Sequence, residues 1–229
     1  MVILGDSIVA GWGLRPEESY PALLNGRLAT LGWQVINAGY PGDTIVQGAL
    51  RFARDVAAHQ PDLLLLAFGL NDGCPVRTAS DRWREQLLTS RRLGCERAWL
   101  RLPRRLPWRH REPLAGRPRT RPGLFGATLA RLAQNGRRLG AQVCLLSLTP
   151  VDGPRLPWPA QCESYQRYQG IIARVAHRKS LSYLDLWAPG DPAFDRETMW
   201  VADGVHLNAA GARWLADRVH THLVAEGML

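Results

Sequence analysis

The sequence has no apolar run long enough to cross a bilayer, and it contains only four cysteines. A membrane-spanning helix needs about 20 consecutive apolar residues, so no transmembrane segment is predicted. The cysteines include no Cys-x-x-Cys pair, which argues against a zinc or thioredoxin-type site. We therefore expect free thiols and a reducing compartment for the whole set, which comprises Cys74, Cys95, Cys144 and Cys162.

We expect neither a leader segment nor internal repeats. Only four residues precede the first Gly-Asp-Ser, which leaves no room for a secretory signal. We expect a cytoplasmic location on this basis, although a trimmed start would hide an export signal. The 229 residues, 46% of them hydrophobic, suffice for one domain with a sizeable core. We predict a single domain over residues 1–229.

Acidic residues are scarce in one segment. Residues 91–121, called the arginine-rich segment below, contain eleven arginines and two acids, which accounts for the whole net charge of +9. Prolines between residues 103 and 122 exclude a long helix or a central strand. The favoured interpretation is a solvated flap, followed by a lid that attracts an anionic substrate or lipid surface. Nucleic-acid binding fits the charge, but no recognition motif accompanies it, so it is not predicted.

Strand-like apolar runs alternate with helix-like stretches, which predicts a parallel α/β sheet. A large excursion at residues 73–123, with a possible helix near 80–93, interrupts the alternation. Thr44 is expected to cap the second long helix, which runs to about residue 59. The predicted strands are 2–6, 34–37, 63–68, 142–148 and 182–186, and the other helices are 20–31, 124–139, 163–177 and 209–224.

Four short polar motifs stand at or near the ends of predicted elements. Because the carboxyl ends of parallel strands meet at one edge of a sheet, their side chains are expected to converge there. Each motif alone has an ordinary structural explanation, as a turn or a helix cap. The motifs are Gly5-Asp6-Ser7, the stretch from Asn37 through Gly39 to Gly42-Asp43-Thr44, Gly69-Leu70-Asn71-Asp72 and Asp203-Gly204-Val205-His206.

Together these residue types supply what acyl transfer requires. Ser7 is the candidate nucleophile, and His206 is the candidate base that accepts its proton. Asp203 precedes His206 by three residues, so a single turn can direct its carboxylate at the imidazole. An oxyanion needs fixed donors, which the side-chain amide of Asn71 and the backbone N–H groups of Gly39 and Ser7 can provide.

The four motifs, in this order and with this wide spacing, resemble those of the SGNH/GDSL hydrolases. The resemblance implies a flavodoxin-like three-layer α/β/α fold with a five-stranded parallel sheet. It also implies ester or thioester hydrolysis without metal or cofactor. Matched by position, Ser7, Asp203 and His206 form the triad, while Ser7, Gly39 and Asn71 form the oxyanion hole. Ile8 replaces the usual leucine, and Leu207 replaces a common proline, which predicts a looser loop around His206.

Several assignments remain open at this stage. Trp12 and Trp158 follow strand ends and are candidate substrate-binding residues, although ordinary packing explains each equally well. Asp6 and Asp72 lack the companions of a metal site, and none is predicted. The main hypothesis is a serine hydrolase that cleaves a small-molecule ester or thioester through an acyl-enzyme. The alternatives are a carbohydrate O-acetyl esterase or acetyltransferase on the same triad, and a binding module that attaches to anionic partners through the arginine-rich segment.

Overall fold

The computed structural model describes residues 1–75, 117–152, 156, 160–187 and 198–229. The helix predicted near 80–93, the arginine-rich segment up to residue 116, and Trp158 lie outside the described residues. The interpretations attached to those parts of the chain therefore stay predictions.

Five parallel strands form one sheet in the order β2-β1-β3-β4-β5, as the alternation of strands and helices predicts. This order is that of flavodoxin-like folds, in which ligands bind where the strand order reverses beside β1. Residue pairs Gly5–Gly39 and Gly5–Ala67 align the ends of the three strands around that point. The strands are β1 (Val2–Gly5), β2 (Ile36–Gly39), β3 (Leu63–Ala67), β4 (Gln142–Leu146) and β5 (Ser182–Leu184).

The edge strand β2 begins two residues later than the sequence predicts. The predicted strand covers residues 34–37, but the backbone N–H of Val35 donates to the side chain of Asn25, at 2.8 Å. Strand pairing starts with the N–H of Ile36, which donates to the carbonyl of Met1. The later start extends β2 to Gly39 and places that residue directly beside the end of β1.

Seven α-helices occur in the described ranges, and five of them match the predicted long helices. The other two are single-turn helices, one shortly after β1 and one shortly after β3. The hydrophobic periodicity did not predict them. No helix within these ranges combines the length and apolar character needed to cross a membrane. The helices are α1 (Ser7–Ala10), α2 (Tyr20–Leu28), α3 (Ile45–Asp55), α4 (Leu70–Gly73), α5 (Pro122–Arg138), α6 (Ala160–Lys179) and α7 (Ala209–Ala225).

The apolar strands bury both of their faces, which explains their nearly continuous hydrophobic sequences. Val2 and Leu4 of β1 belong to the core cluster that includes residues of α3, α5 and α6. Ile3, between them, belongs to the cluster shared with α2 and α7. The sheet therefore lies between two helical layers, and the three-layer α/β/α architecture is the one expected.

Candidate active site

Ser7 is the first residue of α1, and only Asp6 separates it from the end of the interior strand β1. The side chain of Asp6 caps this helix by accepting a hydrogen bond from the N–H of Ile8, at 3.0 Å. Gly11 ends the helix in the left-handed region, with φ of 71°. A strand, a cap and a single turn thus hold Ser7 at the carboxyl end of the sheet, where 8% of the residue remains exposed.

His206 and Asp203 meet Ser7 from the far end of the chain. The Nε2 atom of His206 lies 2.8 Å from Oγ of Ser7, and its Nδ1 lies 2.6 Å from Oδ2 of Asp203. With a proton on Nδ1, the ring presents Nε2 as an acceptor to the serine hydroxyl. The structure therefore brings the three predicted triad residues into one hydrogen-bonded chain.

The carboxylate of Asp203 also organises the turn that carries His206. Its Oδ1 accepts hydrogen bonds from the backbone N–H groups of Val205 and His206, both at 2.9 Å. Partial burial opposes ionisation, but these bonds and the one to the imidazole outweigh it and lower the pKa of Asp203 to about 2. Asp203 is consequently an anion at neutral pH, which suits it to orient and stabilise an imidazolium.

The loop after His206 is held firmly despite the leucine at position 207. Leu207 is buried in the core and pairs with Trp200 in an isolated antiparallel bridge. The N–H of Val201 donates to the carbonyl of His206, at 2.9 Å, and Asn208 caps α7 by accepting from two backbone N–H groups. These contacts replace the stiffness that a proline would give this segment.

Asn71 lies in the turn α4, immediately after β3. Gly69 caps that turn with φ of 136°, a backbone conformation that only glycine adopts readily. The Nδ2 atom of Asn71 points towards Asp6, with 3.5 Å between Nδ2 and Oδ2. Its Oδ1 accepts a hydrogen bond from Arg119, at 3.2 Å. The side-chain amide thus lies beside the residue that precedes Ser7, with its N–H end directed away from the arginine.

Gly39 ends β2 against the helix that carries Ser7. A Cβ atom at this position would lie 2.2 Å from the backbone nitrogen of Ala10 and 2.6 Å from the carbonyl carbon of Val9. The backbone N–H of Gly39 donates to Oδ1 of Asn37, at 2.9 Å. To serve as the predicted oxyanion donor, this N–H must either give up its hydrogen bond to Asn37 or donate to Asn37 and the oxyanion at the same time.

Asp6 and Asp72 occupy buried positions at the same end of the sheet. Both carboxylate oxygens of Asp72 accept from the N–H of Ile45, at 3.1 Å, which anchors the start of α3. Burial raises the pKa of Asp72 to about 7 and that of Asp6 to about 6, against the lowering effect of their hydrogen bonds. No cluster of three or more potential metal ligands occurs among the residues that the structure describes.

Two arginines that the sequence analysis did not identify support the strand ends. Arg51 of α3 donates to the carbonyls of Gly5 and Ala38, at 2.8 and 2.7 Å. It also forms salt bridges with Asp43 and Asp55. Arg119 contacts Asn71 as described above. The only sequence signal for Arg51 was its spacing of four residues from Asp55, which is typical of a surface ion pair.

Trp12 lies beside His206. Its ring centroid is 6.2 Å from that of His206, and the residue is 42% exposed. Trp12 lines a shallow pocket next to Ser7, together with Tyr20 and Leu14. This placement is compatible with the predicted substrate contact, which stays a prediction. The other candidate, Trp158, lies outside the described residues.

A second serine–histidine pair occurs elsewhere in the fold. Oγ of Ser182 lies 2.8 Å from Nε2 of His222 and contacts the sulfur of Cys144. Ser182 begins β5, so it lies at the amino end of a strand rather than among the glycine-rich carboxyl ends. This pair therefore provides an internal comparison for the site at Ser7.

Comparison with known proteins identifies several relatives. The chain is 28% identical over 223 residues to esterase TesA of Pseudomonas aeruginosa, a match that covers 96% of this chain and 85% of that protein. It is 40% identical over 77 residues to thioesterase 1/protease 1/lysophospholipase L1 of Escherichia coli. That second match spans 32% of this chain and only 35% of the relative.

The fold has solved counterparts, and a family model extends over most of the sequence. The lipase/acylhydrolase from Enterococcus faecalis superimposes with a TM-score of 0.67 at 21% identity, covering 98% of this chain and 95% of the other. At this identity the likeness concerns the fold. The model of the GDSL-like lipase/acylhydrolase family matches residues 3–214, which include all four polar motifs. The chain therefore belongs to the GDSL-like lipase/acylhydrolase family.

Proposed function

We propose that this chain is a serine hydrolase that cleaves a carboxylic ester or thioester through an acyl-enzyme on Ser7. The observation that carries the proposal is the hydrogen-bonded series from Ser7 through His206 to Asp203, with distances of 2.8 and 2.6 Å. Membership of the acylhydrolase family and the esterase TesA relative support the same activity.

Acylation begins when Oγ of Ser7 attacks the carbonyl carbon of the substrate. The hydroxyl proton passes to Nε2 of His206, and Asp203 stabilises the resulting imidazolium. The negative charge on the former carbonyl oxygen is stabilised by the Nδ2 amide of Asn71 and the backbone N–H groups of Ser7 and Gly39. When the tetrahedral intermediate collapses, the bond to the leaving oxygen or sulfur breaks, and His206 returns its proton to that atom.

Deacylation repeats these steps with water as the nucleophile. His206 removes a proton from water while the water oxygen attacks the acyl carbon of the Ser7 ester. Collapse of the second intermediate breaks the bond to Oγ, and His206 gives the proton back to the serine. The acid is released, the free enzyme is restored, and no redox partner or metal takes part in either half.

The second candidate function, a carbohydrate O-acetyl esterase, uses the same triad and differs in the acyl and alcohol parts of the substrate. Among the described residues the pocket beside Ser7 is small, which is compatible with an acetyl group. Substrates with acetyl and longer acyl chains, on aryl alcohols, sugars and thiols, distinguish these functions by their relative kcat/KM values.

Hydrolysis of p-nitrophenyl acetate and butyrate tests the assignment directly. Ser7→Ala is expected to lower kcat by about 10⁴-fold or more, with His206→Ala nearly as severe, because triad members act as a unit. The matched control is Ser182→Ala, which removes a serine with the same 2.8 Å contact to a histidine and should retain wild-type turnover.

Labelling with a fluorophosphonate identifies the nucleophile independently of any substrate. Mass spectrometry of the labelled protein should find the adduct on Ser7 and its loss in Ser7→Ala. An adduct on another serine, or undiminished ester turnover by Ser7→Ala, would refute the proposal. Binding of anionic partners by the arginine-rich segment and a cytoplasmic location remain separate predictions.

A further inference from the structure

The chain returns from residues 76–116 directly onto the turn that carries Asn71. Pro118 pairs with Pro75 in an isolated antiparallel bridge. The N–H of Arg119 donates to the carbonyl of Cys74, at 3.0 Å, and the next N–H donates to the carbonyl of Asp72, at 3.2 Å. The backbone at Arg119 is thereby fixed beside α4, and its half-buried side chain reaches the site.

The guanidinium of Arg119 connects the two loops that hold the predicted oxyanion donors. One terminal nitrogen, Nη1, donates to Oδ1 of Asn71, at 3.2 Å. The other, Nη2, donates to the carbonyl oxygen of Gly42, at 3.1 Å, in the loop that follows Gly39. A planar group with rigidly placed donors can make both contacts at once, whereas a lysine ammonium lacks that geometry.

These contacts select one of the two orientations of the Asn71 amide. A side-chain amide can rotate by about 180° and exchange its oxygen and nitrogen positions. The guanidinium has only donors, so it requires the amide oxygen on its own side. Asp6 supplies an acceptor 3.5 Å from Nδ2 on the opposite side. Both neighbours therefore direct the N–H end towards Asp6, the residue that precedes Ser7.

We propose that Arg119 is a positioning residue for the oxyanion hole, which fixes the Asn71 amide with its N–H groups towards the developing oxyanion. The inference rests on the proposed serine-hydrolase function. It goes beyond that function because it assigns a role to Arg119, which lies outside the four motifs. Arg119 acts through Asn71 and does not itself touch the reacting atoms.

The expected kinetic signature lies in kcat. Removal of an oxyanion donor costs about 10²–10³-fold in kcat, and an incorrectly oriented donor should cost part of that. Arg119→Met is therefore expected to lower kcat by about 10- to 100-fold while KM changes less than about threefold. Arg119→Lys retains the charge but not the two-pronged geometry, so we expect an intermediate loss.

A double-mutant cycle tests the connection to Asn71. The kcat for p-nitrophenyl acetate is measured for wild type, Arg119→Met, Asn71→Ala and the double variant. If Arg119 acts through Asn71, its substitution costs little further activity in the Asn71→Ala background. Arg117→Met is the matched control, because Arg117 is an exposed arginine two residues away, and it should retain wild-type kcat.

Three outcomes would overturn the inference: an unchanged kcat in Arg119→Met, an equal loss in both backgrounds, or an unaffected Asn71→Ala enzyme. If urea titration shows that Arg119→Met does not fold, the same cycle with Arg119→Lys gives the decisive comparison. Ser7→Ala, assayed in parallel, separates the two proposals. Full turnover by Ser7→Ala refutes the serine-hydrolase function, whereas its loss together with a fully active Arg119→Met refutes only the role of Arg119.

Discussion

Replacement of Gly39 by alanine should damage the active site through a steric clash. The added Cβ would lie 2.2 Å from the backbone nitrogen of Ala10 and 2.6 Å from the carbonyl carbon of Val9. Ordinary contact distances are about 3.5 Å or more, so β2 and α1 must separate by about 1 Å. Because the obstructing atoms are backbone, no side-chain rotation relieves the overlap.

Separation of β2 from α1 also moves Ser7, because Ser7 is the first residue of α1. A shift of about 1 Å would stretch the 2.8 Å contact between Ser7 and His206 beyond the usual limit of about 3.2 Å. Misplacement on this scale can cost about 10²-fold in rate, and the overpacking itself costs about 1–3 kcal/mol of stability. Gly39→Ala should therefore lose at least about 100-fold in kcat/KM.

The assay pairs ester hydrolysis with urea unfolding, and Gly26→Ala is the control. Gly26 lies in α2 with nothing within 4 Å of the added carbon, so the substitution should leave kcat/KM unchanged and stabilise the helix by about 0.5–1 kcal/mol. Wild-type kcat/KM and stability in Gly39→Ala would refute the close approach of β2 to α1.

Three further results are expected. Asp203→Asn should lower kcat on p-nitrophenyl acetate by about 10⁴-fold, because the amide no longer holds the required imidazole tautomer. Arg51→Met should lower the free energy of unfolding in urea by about 3–5 kcal/mol, since it removes the salt-bridge partner of the mostly buried Asp43 and one of the two arginines bound to Asp55. Burial raises the pKa of Asp72 to about 7, against about 3.9 in the unfolded chain. The folded state then binds the proton more tightly, so the free energy of unfolding should fall as pH rises from about 4 to 7, and Asp72→Asn should flatten that slope.

The sequence predicts the sheet well because the central strands bury both faces. Residues 63–68 form a nearly continuous apolar run, and β3 occupies most of it. The edge strand β2 was placed too early, because only Ala38 in it is fully buried and its start depends on a hydrogen bond to the distant Asn25. The hydrophobic pattern of the sequence therefore locates a fully buried strand well. It locates the ends of a partly exposed edge strand less precisely.

The candidate catalytic residues could be picked out from the sequence for a different reason, since each lies in a short motif at or near the end of an element. Arg51 and Arg119 could not be picked out in this way, because the contacts that place them at the site join residues distant in sequence. Arg51 contacts Gly5 across 46 residues, and Arg119 contacts Asn71 across 48. Arginine is ordinary at a surface position and in a basic segment, so neither residue stood out before the fold placed its partners beside it.

The motif between Gly39 and Thr44 shows how one stretch of sequence serves several physical roles. Gly39 permits close approach of the serine helix, and Asp43 holds Arg51, at 2.7 Å. Thr44 occupies the N-cap position of α3, where its backbone N–H and its hydroxyl both donate to Oε1 of Gln47, at 2.7 and 3.0 Å. Only Gly39 lies directly against the helix that begins with Ser7. The motif therefore acts chiefly by fixing the backbone around Ser7. Substitutions at Asp43 and Thr44 are accordingly expected to lower the free energy of unfolding more than they lower kcat.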